Sequence, residues 1–304
     1  MSEKSLTADL HRAAHKARGK QGDLPQRGRK QALARFARFQ WTMGFEIHTV
    51  AQIKEKHFRA WTTDLALRGR TKRTIANNVA HLRTALEGAG RRAFADKLSN
   101  AELGIAGSSR AGTKVPMSSD ALERNLAAVK TIDPGVAIVL ELQNEFGLRA
   151  AEGVCCVKSL ADWLRALENP LGDGFVTVVH GTKGGKTRRC PPLDRERAIS
   201  IIRRAIALAA QGNCRLVRKM TLRQAMNRYH YVARKAGMTG ENAPHGVRYA
   251  YATEHLQRAR KAGISDREAA AGVSTLLGHG DGRGTWVERV YGREALAKAV
   301  VHDA

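Results

Sequence analysis

The sequence predicts a mainly α fold with one small β-hairpin, divided between two helical domains. Apolar residues recur at helical spacing through most of the chain. Strand formers gather in a single stretch, GFVTVVHGTKGGKTRRCPPL. The segment GIAGSSRAGTKVPMSSD, residues 104–120, breaks the periodicity with Gly, Ser and charge. At 304 residues and 43% apolar content the chain can build two separate cores.

Lys and Arg number 52 against 28 Asp and Glu, a formal net charge of +24. Solubility demands far less, so a polyanionic partner is expected, nucleic acid ahead of an acidic membrane surface. The basic residues are spread along the chain, which suits a protein that surrounds its ligand. No apolar run approaches the ~20 residues of a bilayer helix. The start MSEKSLTADLHRAAHK has no apolar signal region, and a cytoplasmic protein is expected. Cys155, Cys156, Cys190 and Cys214 lack Cys-x-x-Cys spacing, so reduced thiols are expected. His11 and His15 lie four apart without a further ligand nearby, and neither a metal nor a cofactor is expected.

Residues 1–29, rich in Lys, Arg, Gly and Gln, read as a flexible basic arm, with a solubilising tail and a DNA contact equally compatible. Residues 30–106 read as a helical bundle. Leu33, Phe36, Ala37 and Gln40 form one helical stripe; Ile53, His57, Phe58, Trp61 and Leu65 form another, over a segment from Val50 to Leu67. In TKRTIANNVAHLRTALEGAG, Ile75, Val79, Leu82 and Leu86 face inward. The opposite face carries Lys72, Arg73, Asn77, Asn78, His81 and Arg83, and in so basic a chain phosphate contact is favoured over plain solvation. Residues 107–117 read as the linker.

Beyond the linker, Asp120 and Glu123 occupy cap and third positions of a helix, and Asp133-Pro134-Gly135 starts a buried one that Gly147 stops. Arg149 and Glu152 then stand three apart at the start of a short helix, where the carboxylate orients the guanidinium. Phe175–Val179 begins the hairpin, Gly184-Gly185 turns it, and Lys183 and Lys186 flank the turn. Two more helices follow, ISIIRRAIALAA and TLRQAMNRYHYVARKAG.

Residues 244–291 hold the densest chemistry. Pro244 suits a first helical turn, and His245 and Arg248 share one face near a positive helix start, where an anion is welcome. Ser265 with Glu268 matches a capping box, and Gly278 suits the left-handed residue that closes the helix, leaving His279 at a turn. Thr285 with Glu288 matches a second box, starting a helix that carries Tyr291 and a Glu294–Lys298 pair.

The stretches GLRAAE, TKGGKTRRCPPL, HGVR, LLGH and RVYGRE, in that order, resemble the tyrosine recombinase (phage integrase) family. The interval from His279 to Tyr291 exceeds that of many members by roughly a helical turn. The resemblance implies a tyrosine recombinase catalytic domain over residues 118–304 and a helical, SAM-like core-binding domain over 30–106. It implies Tyr291 as nucleophile, Arg149 and Arg248 as phosphate clamps, His245 as base or relay, Lys183 as general acid and His279 as a phosphate hydrogen-bond donor, with Glu152 and Lys186 in support. A 3′-phosphotyrosyl intermediate would let DNA strands be cleaved and rejoined without a cofactor, in integration or excision of a mobile element. Double-stranded DNA would be clasped by both domains in a C-shaped clamp. A homotetramer would form on two sites, with the tail GREALAKAVVHDA docked on a neighbouring protomer. Arg248→Ala is expected to lose cleavage with little loss of fold. A recombinase fold without turnover, and a topoisomerase-like relaxing enzyme, are the alternatives.

Overall fold

In a computed structural model of the chain, the described residues are 3–18, 23–107, 115–280 and 282–292. They fall into two compact units, Met1–Ser109 and Arg110–Ala304.

The first unit consists of α1 (Glu3–Arg18), α2 (Asp23–Thr42), α3 (Glu55–Leu67), α4 (Lys72–Gly88) and α5 (Arg92–Lys97). Its core joins Leu33, Phe36 and Ala37 of α2 to Phe58 and Trp61 of α3 and to Ile75, Val79, Leu82 and Leu86 of α4. Phe36 meets Trp61 edge-on at 5.1 Å. The segment expected as one helix from Val50 is divided. Val50–Gln52 is a 3₁₀ turn and α3 starts at Glu55, where His57 Nδ1 accepts the Lys54 N–H at 2.9 Å. Accepting that bond requires the neutral ring, and burial, followed by Lys56 and Lys54, pushes the His57 pKa down.

The flexible arm expected over residues 1–29 is corrected. Residues 3–18 form α1, whose Leu6, Leu10 and Ala14 are buried. A stripe at spacing four is one face of a helix, and here it is set among charges that dominate the composition. Asp9 Oδ2 accepts the Val50 N–H at 2.8 Å, and His11 Nε2 bonds the Lys30 carbonyl at 3.1 Å. α1 lies so close to α4 that a Cβ on Gly88 would stand 1.8 Å from the Ala13 carbonyl oxygen.

The second unit runs α6 (Ser119–Ile132), α7 (Pro134–Phe146), α8 (Ala150–Cys155), α9 (Leu160–Glu168), β1 (Val176–Val178), β2 (Arg188–Cys190), α10 (Arg195–Ala210), α11 (Leu222–Lys235), α12 (His245–Lys261), α13 (Asp266–Leu276) and α14 (Gly284–Tyr291). α7 is its axis: Val136, Val139, Leu140, Leu142 and Phe146 are buried among α6, α8, α10 and α12. Asp133 caps α7, accepting from Gly135 N and Val136 N, with Pro134 in the first turn. β1 and β2 pair antiparallel, Val176 opposite Cys190 and Val178 opposite Arg188, and the connection carries a 3₁₀ turn at Lys183–Gly185. α12, α13 and α14 share a separate apolar cluster, including Tyr249, Tyr251, Leu256, Val273, Leu277, Val287 and Tyr291.

Two expected caps differ. Ser118, two residues ahead of Asp120, accepts the Ala121 N–H and caps α6. The Thr285–Glu288 box does not form, because α14 already starts at Gly284 and places Thr285 inside it. Of the expected linker, residues 108–114 lie outside the described residues, while Met117 is buried and donates its N–H to the Gly246 carbonyl at 3.1 Å. The tail from residue 293, with its Glu294–Lys298 pair, also lies outside them. Among the described residues no helix is long and apolar enough to cross a membrane.

Candidate active site

Three separate stretches of the second unit meet at one carboxylate. α7 ends at Gly147 in the left-handed conformation (φ +56°), where a Cβ would lie 2.4 Å from the Tyr251 ring. The chain thereby turns into α8, with Arg149 at its N-cap and Glu152 in its first turn. Glu152 is fully buried. Its Oε2 accepts Arg149 N–H at 2.8 Å and its Oε1 accepts Arg149 Nη1 at 2.6 Å. Arg188 reaches in from β2, donating from Nη2 to Glu152 Oε2 at 2.7 Å. Arg248 comes from the first turn of α12, with Nη1 at 3.8 Å from Glu152 Oε2.

Two helix C-termini complete the setting. The Gly147 carbonyl closing α7 accepts from Arg188 Nη2 at 3.3 Å and from Arg248 Nη1. The Leu277 carbonyl closing α13 accepts from Arg149 Nη2 at 3.2 Å and Arg248 Nη2 at 2.5 Å. Unpaired carbonyls at the negative ends of helices suit guanidinium groups. Burial would raise the Glu152 pKa, but Arg188, then Arg248 and the Arg149 contacts, hold it below its ordinary value. Burial would lower that of Arg188, but Cys190 and Glu152 hold it above. Arg248 is lowered to about 10, by burial first and then by Arg188 and Arg149, against the pull of Tyr291 and Glu152. It therefore remains cationic at neutral pH, and three cations surround one anion.

A row of rings adjoins this cluster. His279 follows the left-handed Gly278 and donates its N–H to Ser274 O at 2.9 Å. Its imidazole packs on Trp286 at 4.3 Å between ring centres. Tyr291, 3% exposed, lies 6.2 Å from His279, 5.7 Å from Trp286 and 4.4 Å from Tyr249. Tyr249 in turn meets the exposed His245 ring edge-on at 5.3 Å. Burial, and next the cations Arg248, Arg149, Arg283 and Arg188, push His279 down to about 3, so its ring is neutral at physiological pH. Its Nε2 is buried without a hydrogen-bond partner among the described residues. Burial, with Tyr291 adding to it, pushes Tyr249 up to about 12.

Residues 104–254 match the family model described as Integrase, and residues 2–95 match the one described as Phage integrase, N-terminal. The chain belongs to the phage integrase family of tyrosine recombinases. Members of the family cleave and rejoin DNA. The search of curated proteins returns no match. Solved structures share the fold. One is a segment of the Tn1549 transposon integrase in complex with transposon right end DNA: TM-score 0.58, 15% identity, 98% of this chain and 100% of that one. Another is lambda integrase, as a dimer bound to a COC′ core site: TM-score 0.59, 16% identity, 92% and 76% covered. A third is a lambda integrase tetramer bound to a Holliday junction, at 0.54, 16%, 94% and 78%.

Of the residues singled out in the sequence, Arg149, Glu152, Arg248, His279 and Tyr291 lie in this one region, with His245 joined to it through Tyr249. Lys183 and Lys186 are exposed on the hairpin turn, while Arg188 of the same hairpin reaches the cluster. In the first unit Lys72, Arg73 and Asn77 are exposed and His81 is half-buried, its pKa lowered by burial and then by Arg29 and Arg35. Two members of the expected α4 face are committed internally. Asn78 is buried, donating to Thr74 O and accepting from Arg35, and Arg83 donates to Asn100 Oδ1 and Leu98 O.

Sequence reasoning gave no role to Arg188 or Trp286 and set Tyr249 aside as a nucleophile because it lies within the His-x-x-Arg helix. Arg188 had a signal, since strand alternation sets it on the same inward face as Cys190. Tyr249 and Trp286 had none beyond their neighbours. A concavity of about 820 Å³ lined by Arg215, Arg218, Lys219, Arg228 and Tyr231 contains none of the cluster residues.

Proposed function

We propose that this family member is a site-specific DNA recombinase acting through a 3′-phosphotyrosyl intermediate. The observation that carries the reading is the convergence of Arg149 and Arg248 on Glu152 and Leu277, with the Tyr291 ring 4.4 Å from that of Tyr249, the residue after Arg248, and 6.2 Å from that of His279. Two guanidiniums present ten N–H groups, and the bonds above use few of them. The remaining groups can grip non-bridging phosphate oxygens and stabilise a five-coordinate transition state without a metal.

The Tyr291 phenol oxygen bonds to phosphorus as the bond to the 5′ oxygen breaks. The phenolic proton passes to His245, and Lys183, from its exposed turn, protonates the departing 5′ oxygen. General-acid help of this kind contributes about 10²–10⁴-fold. The neutral His279 ring donates one hydrogen bond to the phosphate. The phosphotyrosyl bond retains the energy of the broken diester, so a 5′ hydroxyl of another strand can reverse the step.

Double-stranded DNA is the substrate, with both units contributing basic surface, including Lys72, Arg73, Asn77 and His81 of the first. The DNA-bound forms of the Tn1549 and lambda integrases support this, as the lambda tetramer bound to a Holliday junction supports an assembly of four protomers. Integration or excision of a mobile element is the task this implies. The test is a nicked duplex incubated with the protein in EDTA. A covalent adduct that maps to Tyr291 is expected, and a requirement for two sites separates strand exchange from simple relaxation. No adduct on any mapped binding site would leave only a DNA-binding protein.

A further inference from the structure

We propose that Arg188 is a positioning residue for the phosphate clamp: by occupying Glu152 Oε2 it keeps that carboxylate off Arg248 and leaves the Arg248 guanidinium to the DNA. This deepens, and rests on, the recombinase reading.

Oε1 of Glu152 is taken by Arg149 at 2.6 Å, and Oε2 holds the Arg149 N–H at 2.8 Å and Arg188 at 2.7 Å. Arg248 stands outside that shell, at 3.8 Å. The Arg188 side chain is 2% exposed, and both of its terminal nitrogens are bonded within the cluster. Three neighbours hold it, although its Nε is buried without a partner among the described residues: Nη1 lies 3.2 Å from Cys190 Sγ, Nη2 shares the Gly147 carbonyl with Arg248, and its Cδ fills the space that a Cβ on Gly278 would need. One side chain therefore ties the hairpin to the ends of α7 and α13 and to α8. Without it, a buried carboxylate short of one cation has Arg248 as its nearest replacement, and attraction at low dielectric is strong enough to close the gap. Arg248 would then bind the carboxylate instead of the phosphate, and the excess positive charge of the cluster would fall by one.

The full-length protein is compared with Arg188→Gln, Arg188→Lys and the double variant Arg188→Gln/Glu152→Gln. The substrate is a nicked duplex carrying the site mapped from DNA trapped by the parent. Arg188→Gln should bind this duplex without covalent attachment much as the parent does. Its adduct should form about 10²-fold more slowly, the scale of a misplaced reacting group. Relative to the parent, its rate should recover toward acid pH, because protonating Glu152 removes the competing charge just as Glu152→Gln does. Adding Glu152→Gln should recover part of the rate, since the competing charge is gone. A crystal structure of Arg188→Gln should show Arg248 Nη1 drawn in to about 2.8 Å from Oε2. If Arg188→Gln does not fold, Arg188→Lys takes the same measurements, with a smaller loss expected. Parental adduct rates in a folded variant, or Arg248 at its original spacing, overturn the proposal. A parent that forms no adduct overturns the recombinase reading alone, and the position of Arg248 in the variant still decides this one.

Discussion

Tyr291 and Arg248 can be separated experimentally although they adjoin. Tyr291→Phe removes only the attacking oxygen, so covalent attachment to a nicked duplex should vanish on a denaturing gel while filter binding persists. Retained attachment in that variant would place the nucleophile elsewhere. Arg248→Ala should also lose attachment, but its burial changes what was expected of its fold. The residue is 1% exposed and bonded to the Gly147 and Leu277 carbonyls, so removing it leaves buried acceptors and part of Glu152 uncompensated. A stability loss of about 3 kcal/mol by denaturant titration is expected.

The histidines add a pH dependence. His279 and His255 are pushed down to about 3 and about 4 from an ordinary 6.5, by burial first in both. Between those values and 6.5 the unfolded chain binds protons that the folded chain does not, so stability falls as pH drops below about 6.5. Melting curves at pH 7 and pH 5 should show this loss, and a His255→Leu/His279→Gln double variant should lose less between the same two pH values.

Two glycines test how whole elements are held. Gly88→Val would drive a side chain into the α1 backbone at Ala13, so limited proteolysis should open residues 3–18 while the rest of the first unit resists. An α1 equally resistant in the variant would mean that the helix is held by other contacts. Gly147→Ala combines a positive φ with a clash against Tyr251, and by denaturant titration should destabilise by more than the ~1 kcal/mol that the same change can gain where the conformation permits alanine. At this scale the apolar spacing of α4, the Asp133-Pro134 start of α7 and the Ser265 cap of α13 were legible, because each is set by neighbours within one turn. The failures have the same origin. The leucines of α1 were masked by surrounding charge, the Thr285 box yielded to a helix that starts earlier against α13, and the break at Ile53 depends on His57 turning back to cap α3.

For the molecule as a whole, a net charge of +24 predicts DNA affinity dominated by counterion release. Binding of the full chain to duplex should weaken by roughly 10³-fold or more between 50 and 200 mM salt. Near-constant affinity across that range would show that phosphate contacts contribute little, and the basic surface would need another explanation. The sequence by itself determined the helical class, the single hairpin, the order of the integrase-like motifs and the excess of positive charge, since all are fixed by residue identity and by spacing along the chain. Only the tertiary structure decided that α1 is part of a core, that Asn78 is buried and Arg83 bonded to Asn100 and Leu98, and that Arg188 joins Arg149 and Arg248 around Glu152. Those outcomes depend on which groups from distant stretches compete for the same buried partners, and spacing along the chain carries no information about that competition.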